Sequence, residues 1–125
     1  MNPSLKNIVI GQLIAEHRKS KRRGVASLAL WVGVRSVDVR QWERGGQRIS
    51  PDRQGLVEEA LGLDVGTLLH QAAVVTEKIR ATAQLCSVGT IEEDVWESTF
   101  LNLCGVDVAR TLASFWAALV VRSAV

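Results

Sequence analysis

The chain has 125 residues and a net charge of +2, with 47% hydrophobic and 5% aromatic residues. This length suits one compact domain, or one small domain followed by a helical module. The hydrophobic fraction is ample for a folded core, and it excludes a disordered or low-complexity chain.

The charges are unevenly distributed along the chain. Residues 1–55 contain 11 Lys/Arg and 4 Asp/Glu, whereas residues 56–125 contain 4 and 9, so the two parts carry +7 and −5. A basic N-terminal part is typical of a surface that binds phosphate groups. Chance placement of charges on solvated faces is the alternative explanation.

The first predicted helix runs from about Leu5 to Lys19 and has an apolar stripe that includes His17. We interpret His17 as a partly buried histidine with a local hydrogen-bond partner. In the segment 18–24 that follows, five of the seven residues are cationic. Such a run is usually a solvated face, although it can also lie beside a DNA backbone when a DNA-binding motif follows.

Two short helices are predicted next, over 25–32 and 36–44. Gly33 lies after the first of them and Gly45 after the second. Because glycine readily takes the positive φ that ends a helix, both positions favour a stop there.

The residues inside these two helices have the spacing of a helix-turn-helix motif. Ala29 is small enough to let the second helix approach, and Gly33 closes the first helix. Val39 and Trp42 are three residues apart, so both point inward from one face of the second helix. The other face then carries polar side chains suited to reading base edges in a DNA groove.

Further helices are predicted beyond residue 50. Ser50 and Pro51 are typical of an N-cap and first helical position, and Gly62 ends the fourth helix. From Thr67 an apolar pattern with steps of four and three predicts a fifth helix that pairs with another. Thr90 begins a capping box, and Gly105 breaks the helix that follows it.

The last predicted helix has an unusually wide apolar face, which allows two interpretations. These residues could form a private core, or they could pair subunits, and we favour a subunit interface because helix-turn-helix proteins commonly bind two half-sites as dimers. The expected oligomer interface consists of Val108, Leu112, Phe115, Trp116 and Leu119.

Nothing in the sequence directs the chain to a membrane or out of the cell, so we expect it in the cytoplasm. The apolar stretch 106–125 is interrupted by Asp107, Arg110 and Arg122, and we therefore predict a buried helix and not a membrane span. Cys86, Cys104 and the two histidines have irregular spacing, so we expect small core thiols, no metal and no cofactor.

From about Ile10 to Leu69 the sequence resembles the Cro/C1-type (XRE-family) helix-turn-helix DNA-binding proteins. The resemblance is carried by IGQLIAEHRK, LALWVGV, VDVRQWERG and EALGLDVGTLL at their mutual spacing. It implies an all-α fold with a lambda-repressor-like five-helix DNA-binding domain over 1–66. The helical module over 67–125 would serve oligomerisation or interaction, and beyond Leu69 the family offers no counterpart.

The resemblance also implies a structural pair between Arg18, late in helix 1, and Glu43, near the end of helix 3. Two departures from the family pattern stand out. Arg23 and its neighbours replace the polar cap and the phosphate-binding glutamine that commonly open helix 2, and the loop after Gly45 is about two residues longer than usual.

We expect helix 3 to read DNA bases. Arg40 can bridge two acceptors of guanine and Gln41 can bridge adenine, while Asp38 could accept from cytosine but is better explained as stabilising the helix N-terminus. The expected base contacts are Ser36, Val37, Asp38, Arg40 and Gln41. The expected phosphate contacts are Arg22, Arg23, Arg35, Arg44 and Arg48.

The sequence thus predicts a sequence-specific DNA-binding transcriptional regulator that acts as a repressor, as a dimer on double-stranded DNA. The alternative is an antitoxin-like or DNA-maintenance protein whose C-terminal helices bind a protein partner. Enzymatic activity is not expected, because the sequence has no phosphate loop, no metal-ligand cluster and no nucleophile with a plausible base.

Overall fold

The computed structural model describes residues 4–86 and 96–123, without the side chains of residues 85 and 86. Over these residues the chain is helical and has no strand, so the expectation of an all-α fold is confirmed. The helices are α1 Leu5–Ser20, α2 Val25–Val32, α3 Ser36–Arg44, α4 Pro51–Ala60, α5 Thr67–Cys86 and α6 Trp96–Ser123.

The predicted ends of the first four helices agree with the structure to within about one residue. Gly33 and Gly45 have φ values of 81° and 75°, so both glycines end a helix in the left-handed conformation. Ser50 caps α4, where its hydroxyl accepts from the Arg53 N–H at 3.4 Å, and Pro51 is the first helical residue. These signals are local in sequence, which explains why they could be recognised.

Helix α1 lies at the centre of the molecule and packs against α3, α5 and α6, most extensively against α6. Its residues from Ile8 to Ala15 are buried except Gln12, which is half-buried. A helix that is apolar nearly all round must be covered on several sides.

Residues before and after position 66 belong to one hydrophobic core. Two buried polar contacts connect the expected domain over 1–66 with the expected module over 67–125. The His17 imidazole lies 2.6 Å from the Gln71 side-chain oxygen, and Glu58 accepts from the Leu68 N–H at 3.0 Å near the start of α5. The partner of His17 is thus on α5, and is not local as expected. The proposed boundary at residue 66 does not interrupt the packing.

Helix α6 is interrupted at Gly105, where φ is 84° and ψ is 164°. The break predicted at this glycine is therefore present as a kink within one long element. The capping box expected at Thr90 lies outside the described residues, as does the side chain of Cys86.

The segment of α6 after Gly105 buries its smallest side chains. Ala109, Ala113 and Ala117 are fully buried, while Val108, Phe115 and Leu119 are exposed. Alanines four residues apart form a flat strip that lets two helices approach closely. The private-core interpretation therefore holds for the alanine face, and the larger apolar side chains face outward.

Over the described residues, α6 is the one helix long and apolar enough to cross a membrane, and 22% of its apolar stretch is buried. Length and composition alone are weak evidence, since core helices of soluble proteins share them. The stretch also contains Asp107 and Arg110 and is kinked at Gly105. The buried helix expected from the sequence is present only in part, because one face of α6 is buried and another is exposed.

Candidate nucleic-acid interface

Helices α2 and α3 pack across a tight turn. The N–H groups of Gly33 and Val34 both donate to the carbonyl of Ala29, at 2.9 and 3.0 Å, which closes the first helix. Val39 and Trp42 are buried on the inner face of α3, and Ala29 is buried on α2. Of the four residues expected to form the helix-turn-helix core, Ala29, Val39 and Trp42 thus belong to the hydrophobic core and Gly33 ends α2.

The outer face of α3 is open to solvent. Arg40 and Gln41 are exposed, Val37 is 46% exposed and Ser36 is half-buried at the first turn. The Gln41 side-chain oxygen lies beside Gly46, where an added Cβ would approach it to 2.7 Å. All five side chains expected to contact bases are thus at least partly accessible, and those of Ser36, Val37, Arg40 and Gln41 lie toward one side of the helix.

Asp38 is engaged within its own helix. Its carboxylate accepts from the backbone N–H of Arg35 at 3.1 Å and from the Arg35 guanidinium at 3.3 Å. These hydrogen bonds, the side-chain bond above all, hold the pKa of Asp38 below its usual value. This geometry matches the stabilising role preferred for Asp38, and it occupies Arg35, one of the arginines expected to contact phosphate.

The other expected phosphate ligands differ in their surroundings. Arg22, Arg44 and Arg48 are exposed, and Arg22 has a positive φ of 54°. The Arg23 guanidinium lies over the Trp31 ring at 5.7 Å, and its Nη1 is buried without a hydrogen-bond partner among the described residues. Arg23 is therefore held against α2, whereas the three exposed arginines are free to reach outward.

Arg18 and Glu43 form the pair that the family resemblance implied. Arg18 Nε donates to Glu43 Oε2 at 2.8 Å, and a second guanidinium nitrogen donates to Oε1 at 3.0 Å. This hydrogen bonding raises the pKa of Arg18, while partial burial opposes the shift. A bidentate pair fixes both position and rotation, so it ties α3 to the end of α1.

Glycines also bring α1 and α3 close together, and this part of their contact was not anticipated from the sequence, which implied only the pair of Arg18 and Glu43. A Cβ added at Gly11 would collide with the carbonyl oxygen of Trp42, and one at Gly45 would lie 2.7 Å from the Ile8 side chain. The two helices therefore touch backbone to backbone, which no larger residue at these positions would allow. The signal available in sequence was a glycine in the middle of an apolar helix, where it normally destabilises.

All four carbonyl groups at the C-terminal end of α3 accept a hydrogen bond. Those of Gln41 and Trp42 accept from the N–H groups of Gly46 and Gly45, both at 3.0 Å. The carbonyl of Glu43 accepts from the Gln12 side chain on α1 at 2.9 Å. The carbonyl of Arg44 accepts from Arg110 Nε and Nη2, at 3.2 and 3.0 Å. Such carbonyls have no partner within the helix and are commonly left to water.

The expected oligomer interface divides into two groups. Val108, Phe115 and Leu119 are exposed, while Leu112 and Trp116 are partly buried against the core. The Phe115 and Trp116 rings make an edge contact with centroids 5.1 Å apart. An apolar surface on α6 is thus available to a partner, and it is narrower than expected.

Among the described residues no three His, Cys, Asp or Glu side chains converge in a way that could hold a metal ion. His17 is buried against Gln71, and Cys104 is exposed, unlike the core thiol that was expected. Comparison of the chain with protein-family models, curated proteins and solved structures finds no match.

Proposed function

We propose that this protein is a sequence-specific DNA-binding transcriptional regulator of the Cro/C1-type helix-turn-helix class. In this proposal residues 1–66, with α1 to α4, are the DNA-binding domain, and α5 from Thr67 onward supplies the fifth helix of the lambda-repressor-like fold. Helix α3 enters the major groove of double-stranded DNA. The protein would act in the cytoplasm as a repressor that occupies an operator, without catalysis.

The observation that carries this proposal is the arrangement of α3. Val39 and Trp42 anchor one face in the core, and Arg40 and Gln41 project from the opposite face. An arginine and a glutamine side by side can each make a paired hydrogen bond to a purine, which distinguishes base pairs in the major groove. Side chains that read bases must also be held in place, and both ends of α3 are bonded.

The electrostatics support the same proposal. Arg44 ends α3 and Arg48 lies in the loop after it, and both side chains are exposed. These residues belong to the part of the chain that carries +7. Positive side chains next to a helix that contacts bases increase the affinity for DNA through phosphate contacts, and they make binding dependent on salt concentration.

The proposal is tested by selecting a duplex from a random library with the wild-type protein. Fluorescence anisotropy then compares this duplex with a scrambled one at several salt concentrations. Arg40→Ala/Gln41→Ala should weaken binding to the selected duplex by about 30-fold or more, since each paired contact is worth at least about 1 kcal/mol. Binding to the scrambled duplex should change much less.

Arg122→Ala is the control for this experiment, because it removes an exposed arginine from the far end of α6. It should leave binding to both duplexes unchanged. If no duplex is enriched, or if the double variant binds the selected duplex as tightly as wild type, α3 does not read DNA sequence.

The exposed apolar residues of α6 support a dimer. Val108, Phe115 and Leu119 are separated by seven and four residues, so they lie along one side of the helix. If two copies pair through this side, each copy can present its α3 to one half-site of the DNA. Phe115→Glu should convert the dimer into a monomer in sedimentation velocity experiments, whereas Asn102→Glu, at an exposed position before the kink at Gly105, should not.

The same surface supports the second candidate function, in which the C-terminal helices bind a different protein, as in an antitoxin or a DNA-maintenance protein. The distinguishing result is the state of the wild-type chain in isolation. A wild-type monomer at micromolar concentration would favour the heterologous partner, and a Phe115-dependent dimer would favour the regulator.

A further inference from the structure

Arg110 is a charged residue on a largely apolar helix, and its guanidinium reaches α3. Nε and Nη2 both donate to the carbonyl oxygen of Arg44, and Nη1 donates to Asp107 at 3.2 Å. Asp107 is one turn before Arg110 on α6, and its side chain is 98% exposed. The aspartate thus orients the guanidinium from its own helix, and Nε and Nη2 remain to bind α3.

The carbonyl that Arg110 contacts is the last one of α3. This end of the helix has partial negative charge, because the peptide dipoles align along the axis. A cation that also donates two hydrogen bonds suits such a site better than water does. Gln12 binds the preceding carbonyl from α1, and it lines the same shallow groove as Arg110.

The residues expected to read DNA lie within one turn of this contact. Arg40 and Gln41 are four and three residues before Arg44. Since residues three and four apart lie on one face of a helix, movement of the last turn would also move their side chains. A displacement of about 1 Å is enough to weaken an oriented contact.

We propose that Arg110 is a positioning residue through which α6 sets the orientation of the C-terminal turn of α3. This inference rests on the proposed function where it concerns DNA reading. The hold of Arg110 on α3 can be measured without DNA. Arg110 does not itself contact a base or a phosphate in this proposal.

The first experiment measures amide hydrogen exchange by NMR in the absence of DNA, for wild type, Arg110→Ala and the control Arg122→Ala. The informative amides are those of Gly45 and Gly46, which bond to the last turn of α3. Loss of a net hydrogen bond at this end should raise their exchange rates by about fivefold in Arg110→Ala. Arg122→Ala should exchange as wild type does.

The second experiment measures binding to the selected and scrambled duplexes over a range of salt. Arg110→Ala should bind the selected duplex about fivefold more weakly, with unchanged affinity for the scrambled duplex and an unchanged salt slope. Arg110→Lys keeps the charge and one donor, so it should restore part of the affinity. If Arg110→Ala does not fold, Arg110→Lys serves as the test variant in both experiments.

Each alternative result has a distinct meaning. Unchanged exchange at Gly45 and Gly46 in the Arg110 variants would overturn the proposal. A salt slope reduced by about one would show a direct phosphate contact, and equal losses on both duplexes would show a general effect, so either would overturn the positioning role. A further outcome is that the wild type does not distinguish the duplexes while Arg110→Ala still raises exchange at Gly45 and Gly46. In that case Arg110 does restrain the end of α3, and only the proposed function is rejected.

Discussion

Helix α1 contacts α3 on one side and α6 on another, and the two contacts are built differently. The contact with α3 combines glycines at Gly11 and Gly45 with the bidentate pair of Arg18 and Glu43. Helix α6 is the element that α1 packs against most extensively, and after Gly105 it buries chiefly alanines. The first arrangement fixes one relative position of two helices, because backbone collisions and directional bonds both limit movement. The second buries area with little directional constraint.

The largest expected effect comes from filling the space at Gly11. Gly11→Ala should lower the free energy of unfolding by about 3 kcal/mol, because the new methyl group collides with a backbone carbonyl that cannot move alone. Gly55→Ala is the matched control, since a Cβ there meets nothing within 4 Å. It should raise stability by up to about 1 kcal/mol in urea denaturation. Equal effects of the two changes would contradict the close contact between α1 and α3.

The next largest effect concerns the ion pair. A double-mutant cycle with Arg18→Ala and Glu43→Ala should give a coupling energy of about 2 kcal/mol, because both side chains are largely buried, at 14% and 13% exposure. The same cycle at Arg35 and Asp38 should give a smaller coupling, since the Arg35 side chain is 80% exposed. If the exposed pair couples as strongly, burial is not what makes the pair of Arg18 and Glu43 important.

The alanine contact predicts a smaller loss of stability. Ala113→Leu should cost about 1.5 kcal/mol, because the added volume must separate α6 from the core. Ala118→Leu adds the same volume on a half-buried side of α6 and should change stability by less than about 0.5 kcal/mol. A cost at Ala113 as large as that at Gly11 would show that both sides of α1 are equally constrained.

The smallest effect is expected at the N-terminal end of α3, where Arg35 and Asp38 form a local pair. Because the pKa of Asp38 is lowered by its hydrogen bonds to Arg35, its contribution is fully present above the usual carboxyl pKa of 3.8. It is lost as pH falls through the lower pKa of the folded protein. The Tm difference between wild type and Asp38→Asn should therefore be small at pH 7 and shrink further in acid. A difference that grows in acid would contradict this pairing.

The sequence predicted those parts of the fold that depend on neighbours along the chain. The turn at Gly33, the end of α3 at Gly45 and the start of α4 at Ser50 all depend on the conformational preferences of single residues. The exposed face of α3 followed from the inward spacing of Val39 and Trp42.

The parts that could not be predicted depend on residues far apart in sequence. Gly11 in the middle of an apolar helix indicates a close contact but not that Trp42 makes it, and nothing near Arg110 indicates that its side chain reaches Arg44. The orientation of α6 was also uncertain, because its large and small apolar residues alternate around the helix. The regular spacing of Ala109, Ala113 and Ala117 was the available signal, and it indicates close helix packing.

The central position of α1 has a consequence for the synthesis of the protein. This helix is made before α6, its most extensive neighbour, which lies at the other end of the described chain. At about 5–20 residues per second, a ribosome needs roughly 4–15 seconds to make the intervening segment. During that time the apolar surface of α1 stays partly uncovered, and native contacts this distant in sequence slow folding. The apolar surface of α1 would therefore stay accessible to chaperones until α6 has been made.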